Sequence, residues 1–155
     1  MSRWHNEQWK LQALPAISSS PPGPVIFDVR ARSDQDLWVV GGTFTAHGGL
    51  RPLALHLHSG SWTRSTVPGV DHIGRVIPDG KGGLWAAFRG PFDGFALAHF
   101  AGGSWHLVRL PTLTGKATSA IALARVPKSA IAYAVGSTIF GGLPETNALI
   151  LKYSP

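Results

Sequence analysis

Aromatic residues return at a nearly fixed interval along this chain. Trp38, in DLWVVGG, is followed 47 residues later by Trp85, in GLWAAF, and 48 residues after that by Tyr133, in AIAYAVG. An isoleucine stands twelve residues before each: Ile26, Ile73 and Ile121. Polar segments lie between, RSDQD, PDGKGG and PKSA, so each unit opens as strand, tight turn, strand. The second half of the unit recurs as well. PLALHLHSGSWTRSTVP (52–68) and GFALAHFAGGSWHLVRLP (94–111) each read as a strand, a Gly/Ser turn, a tryptophan and a strand ending at proline. In the first, Leu53, Leu55 and Leu57 alternate with Ala54, His56 and His58, the pattern of a strand with two unlike faces.

Composition agrees with short strands. Glycine (19) and proline (12) are too frequent among 155 residues for a bundle of long helices. Cysteine is absent, which removes disulfides, thiolate metal sites, iron–sulfur clusters and thiol nucleophiles. The apolar runs are shorter than the roughly 18–20 residues of a membrane span. The N-terminus, MSRWHNEQWK, lacks the apolar stretch of a signal peptide, so a soluble, by default cytoplasmic protein is expected. The net charge of +6 comes from scattered Lys and Arg rather than a basic run. It favours weak attraction to anions, and nucleic-acid binding is not expected.

Four strands in about 45 residues is the size of one β-propeller blade. The expected fold is therefore all-β, with blades of four antiparallel strands and three repeat units per chain, 25–68, 72–111 and 119–155. The segment RWHNEQWKLQALP matches the end of a unit, with Trp9 equivalent to Trp62 and Trp105. NALILKYSP matches a third strand, Lys152 and Tyr153 falling on the places of His56 and Leu57, as Arg3 and Trp4 do. Three blades are too few for a propeller. The expectation is a homodimer through its terminal strands, in which residues 1–14 complete a blade of the partner by strand exchange and six blades close one ring. A stretch of a longer propeller, or another all-β arrangement, are the rivals.

The units resemble bacterial propeller repeats of the pattern LW-x-VG … L-x-H-x-x-G-x-W. They are also similar to the sensor-type repeat D-x-x-G-x-L-W, matched by Asp79, Gly82, Leu84 and Trp85 and in part by Asp34 or Asp36 with Leu37 and Trp38. Residues 130–133 depart from it. The resemblance implies a fold rather than an activity, since propellers of this look include ligand sensors, sugar-binding lectins and a few lyases.

Candidate site residues fall into two groups. The loops between second and third strands each carry glycines and a phenylalanine, Phe44, Phe92 or Phe140. Loops on a rigid scaffold commonly bind, so Phe44 with His47 and Arg51, or Phe92 with Arg89 and Asp93, is expected to form a ligand pocket. Asp28 on an innermost strand, with Arg30, Arg75 and Arg125, is expected to face a central channel. His56 and His58 put two rings on one strand face and would bind zinc if a third ligand arrived. The matching places in other units hold His99, Lys152 and Arg3, or Ala101 and His5. That free variation reads as a polar strand face, so no metal and no cofactor are expected. No nucleophile–base pair, G-x-S-x-G or phosphate-binding loop occurs. The expected function is a non-enzymatic, lectin-like binding module for a carbohydrate or small polar molecule. An assembly scaffold, or a lyase or hydrolase acting at the channel, are the alternatives.

Overall fold

The computed structural model describes residues 2–5, 8–11, 13–89, 95–110, 117–140 and 143–154, with side chains for 13–88, 97–110, 120, 122–137 and 148–154. Every regular element among them is a strand. A hairpin comes first, β1 (Ser2–His5) against β2 (Gln8–Leu11), with Trp4 opposite Trp9. Sheet I follows in chain order: β3 (Pro24–Ser33), β4 (Asp36–Phe44), β5 (Leu50–His58) and β6 (Ser61–Ser65). Sheet II repeats the meander with β7 (His72–Pro78), β8 (Leu84–Arg89), β9 (Phe95–Ala101) and β10 (Ser104–Val108). Sheet III has three strands, β11 (Ala117–Arg125), β12 (Ala132–Phe140) and β13 (Leu143–Tyr153). No helix among the described residues is long and apolar enough to cross a membrane.

The turns explain the strict meander. β5 passes to β6 through Ser59 (φ 49°) and Gly60 (φ 80°), and β9 to β10 through Gly102 (φ 59°) and Gly103 (φ 82°). Two successive left-handed residues make the tight hairpin turn whose twist matches that of the flanking strands. Sheet I is then buried on both sides of β4. Trp38, Val40 and Ala54 point to sheet II, where they meet Ile73, Val76, Leu84, Ala86, Phe88, Ala98 and Trp105. Val67 and Val70, from the β6–β7 connection, fill the same core. The other face of sheet I gathers Leu37, Val39, Leu53, Leu55 and Leu57 under Leu14, Ile17 and Trp62. Sheet II in turn presents Trp85, Ala87 and Leu97 to sheet III, against Ala120, Ala132, Ala134, Leu123 and Leu151. The order is thus I, II, III, each sheet offering an aromatic-bearing face to the next.

This arrangement corrects the expected closed ring. Strand pairing stays inside each sheet, so the four-, four- and three-stranded sheets are open, and among the described residues no barrel or propeller closes. Ile150 on the far side of β13 is 71% exposed, and Val135 on β12 is exposed beside it. The physical reason is that strand spacing sets how many strands a sheet holds and how they connect. It does not set the angle between sheets, and that angle decides closure. The six-bladed assembly with three propeller repeat units per chain is therefore withdrawn. With it go the structural grounds for a lectin-like propeller and for a dimeric ring made by strand exchange.

Gly41 shows how closely the sheets are built. It lies opposite Ile26 beside the bulge at Ile26/Asp28. A Cβ placed on it would stand 1.9 Å from the carbonyl oxygen of Val25. Backbone cannot yield as a side chain can, so Gly41, the first of the Gly-Gly pair after LWVV, is a steric requirement. Gly41→Ala should lower unfolding free energy by about 1–3 kcal/mol or more in urea titration. Gly49→Ala, whose Cβ would meet only Thr45 Oγ1 at 3.4 Å, should stay within about 0.5 kcal/mol of the parent.

Candidate functional site

Two features among the described residues concentrate chemistry: a pair of Asp–His–Trp clusters and a cleft that carries arginines. In sheet I, Asp36 opens β4 directly opposite His58 of β5, and Trp38 lies opposite His56. Residues two apart on a strand share a face, so the four side chains converge. The Trp38 and His56 rings stack at 4.1 Å and 10°. This holds the imidazole edge-on to the carboxylate, and His56 Nε2 donates to Asp36 Oδ1 at 3.0 Å. His58 Nδ1 stands 3.6 Å from Asp36 Oδ2, and Arg32 Nη2 donates to that same oxygen at 2.5 Å. Burial pushes the Asp36 carboxyl up, but the Arg32 guanidinium and His56 outweigh it and hold the group below its ordinary value.

Sheet II carries a matching cluster with different commitments. Trp85 and His99 stack at 4.3 Å and 15°, and His99 Nε2 donates to Asp79 Oδ2 at 2.8 Å. Asp79 Oδ1 accepts from the amides of Lys81 (2.7 Å) and Gly83 (2.8 Å), closing the turn before β8. Burial raises the Asp79 carboxyl, and the Lys81 amide, His99 and the Gly83 amide together bring it below its ordinary value. Where sheet I has His58, sheet II has Ala101. The cluster in sheet II is a turn lock joined to a packed aromatic.

The cleft lies at the other end of β4 and β5. It encloses about 430 Å³ between Ser18, Ser19, Ser20, Thr43, Phe44, Thr45, Ala46, Arg51 and Arg64. Its frame is tied down by the backbone. Ser20 N donates to Phe44 O (3.0 Å), Phe44 N to Ser19 Oγ (3.0 Å), and Gly49 N to Thr45 Oγ1 (3.1 Å). Among the described residues no carboxylate pairs with Arg51 or Arg64. Both arginines are exposed at the cleft wall.

Of the expected loop residues, Phe44 and Arg51 line this cleft, whereas His47 sits exposed in the β4–β5 turn outside it. The backbone of Arg89 pairs with His72. Its side chain, and Phe92 and Asp93 altogether, lie outside the described residues. Of the four expected channel residues, Asp28 and Arg30 stay together, and Arg75 and Arg125 lie apart from them. Asp28, its side chain 8% exposed, accepts from Val76 N at 3.0 Å through Oδ2, while Arg30 Nε donates to Val76 O at 2.9 Å. Together they clamp Val76 of β7 onto β3, a structural task. Arg75 is exposed, and Arg125 Nη1 donates to Ser129 O at 2.7 Å. Arg64, Asp36 and the Ser18–Ser20 run were not singled out as ligand-contacting residues. The charge of Arg64 and the serine run are visible signals, but only the fold brings them beside Arg51.

No protein-family model, no curated protein and no solved structure matches this chain. The resemblance to propeller repeats therefore has no support from them.

The low-lying carboxyl of Asp79 makes a pH prediction. A carboxyl held below its unfolded value stabilises the fold above the ordinary carboxylate range. That stability is lost as pH falls through the depressed folded value. Asp79→Ala should cost about 1–3 kcal/mol at neutral pH, because it orphans the buried Gly83 amide. Urea titrations at neutral and acidic pH should also show a shallower acid loss in the variant than in the parent. Equal acid sensitivity would assign the loss to other carboxylates.

Proposed function

We propose that the protein is a non-enzymatic binding module for small polar molecules bearing a phosphate or carboxylate group, taken up in the Ser18–Arg51–Arg64 cleft. The observation that carries this reading is the presence of two guanidinium groups without carboxylate partners among the described residues, on a cleft lined mainly by serine and threonine. Guanidinium matches an oxyanion with paired N–H donors in a fixed fork. Hydroxyls of Ser18, Ser20 and Thr45 supply neutral donors and acceptors around it, and Phe44 offers an apolar wall. The +6 net charge raises the local concentration of anions. The hydrogen-bonded frame spares the ligand the cost of ordering the loop. The carboxylates in well-defined surroundings, Asp28, Asp36 and Asp79, are engaged by backbone amides, arginine or histidine, which suits a binding role better than acid–base work.

Calorimetric titration with inorganic phosphate and with citrate tests the reading. Both should bind the parent protein, with citrate the tighter ligand. Arg51→Ala and Arg64→Ala should each weaken citrate binding about tenfold, the loss of one charge-assisted contact of about 1.5 kcal/mol. Arg109→Ala, a change on an exposed arginine outside the cleft, should leave affinity unchanged. Equal weakening by all three substitutions would reduce the effect to net charge and remove the site.

A further inference from the structure

We propose that Asp36, His56 and His58 form a binding site for a divalent transition-metal ion of the zinc class, at the end of β4 and β5 away from the cleft. Asp36, His56 and His58 come from two adjacent strands, and one ligand atom from each lies within 4.8 Å of the other two. The short separations are 3.0 Å from His56 Nε2 to Asp36 Oδ1 and 3.6 Å from His58 Nδ1 to the second oxygen, Oδ2. Ligand atoms about 2.0–2.2 Å from a tetrahedral zinc stand about 3.3 Å from each other, so these distances bracket the shell that an ion would need. Two imidazoles and a carboxylate are the donor set that zinc and its neighbours accept, and three protein ligands leave a position for water.

Each ligand is held, or left free, in the way such a site requires. Trp38 fixes the plane of His56 by stacking, so Nε2 cannot turn away from the carboxylate. Arg32 bridges Asp36 Oδ2 to the carbonyl of Gly82, which orients the carboxylate and leaves Oδ1 toward His56. Ligating carboxylates are commonly held through such an outer partner. The His58 side chain is 63% exposed, so it can close the remaining distance by a side-chain rotation. The nearby positive charge of Arg32 weakens cation binding, which places the site among exchangeable sites of micromolar affinity rather than permanent structural ones.

Sheet II acts as an internal control. It has the stacked Trp85–His99 pair and the Asp79 contact but Ala101 in the place of His58, and Asp79 Oδ1 is spent on two backbone amides. Asp36 accepts no backbone N–H among the described residues. Sheet I therefore has the additional ligand together with a carboxylate held only by side chains, and sheet II has neither.

Titration of the full chain with Zn²⁺ in a non-chelating buffer, after removal of adventitious metal, tests the proposal. A parallel titration with Co²⁺ is read by its visible absorption. The parent should bind one ion saturably and give the intense visible bands of low-coordinate Co²⁺. His58→Ala alters an exposed strand position and should leave the circular dichroism unchanged. It should weaken Zn²⁺ binding at least about tenfold and abolish the Co²⁺ bands. His99→Ala should leave Zn²⁺ affinity unchanged. No saturable binding by the parent at micromolar Zn²⁺, or binding that His58→Ala leaves intact, would overturn the site. Citrate affinity is measured on metal-free protein, so a failure here and a failure of the cleft are separately visible.

Discussion

The stacked tryptophan–histidine pair, tied to an aspartate, is the interaction around which the sheets are assembled. Trp38 on β4 and Trp85 on β8 are each almost wholly buried, at 1% and 4% exposure. Each ring covers a histidine from the next strand and faces the following sheet. Trp38 meets Phe100 edge-on at 4.7 Å and Trp105 at 5.9 Å, and Trp85 meets Tyr153 at 4.6 Å. A large aromatic at the centre of a strand supplies the apolar area of an inter-sheet seam. The histidine beside it gives that seam a polar rim, and a half-buried imidazole is best satisfied by a fixed partner. Asp36 and Asp79 provide it, and Asp79 in addition fastens the turn before its strand. Packing, hydrogen bonding and turn geometry thus meet in one group of three residues.

The all-β character was legible because its causes are local. Alternation in 53–58, Gly/Ser turns at 59–60 and 102–103, and the β-rich runs LWVV and LWAAF each act within a few residues. Closure was not legible, because it depends on how whole sheets are inclined to one another. The pattern of Leu37, Val39, Leu53, Leu55 and Leu57 demands a covering layer and is silent on how that layer is tilted. Asp28 shows the same limit. Its place on an innermost strand was clear, but only the neighbouring sheet shows that Val76 N occupies its carboxylate. A charge expected to face a channel instead clamps one sheet to the next.

The candidate cation ligands illustrate a subtler failure. His56 and His58 were visible as a pair on one face, and the missing element was a third ligand. Asp36 was present in the sequence as one of two turn carboxylates in RSDQD. Nothing in that string distinguishes it from Asp34. Register does: β4 begins at Asp36, and the antiparallel pairing sets it across from His58. Shifting a strand by one residue would send the carboxylate to the opposite face. Comparison among units shows only that Ala101 holds in sheet II the place that His58 holds in sheet I, one of the two differences between the turn lock and the donor cluster.

The division of labour between the two sheets follows from how a carboxylate distributes its lone pairs. Two oxygens can accept about four hydrogen bonds. Asp79 gives two of them to amides that must be satisfied once the turn is buried, and a third to His99. Any additional cation would have to displace a backbone contact and loosen the turn. Asp36 begins its strand with its own turn closed by other means, since Gln35 N donates to Ser33 Oγ and Ser59 N to Gln35 O. Its oxygens are left to side chains, Arg32 and His56, which can move without unfolding anything. The same three residue types therefore serve stability in one sheet and leave room for recognition in the other. What separates them is whether main-chain amides have already claimed the carboxylate.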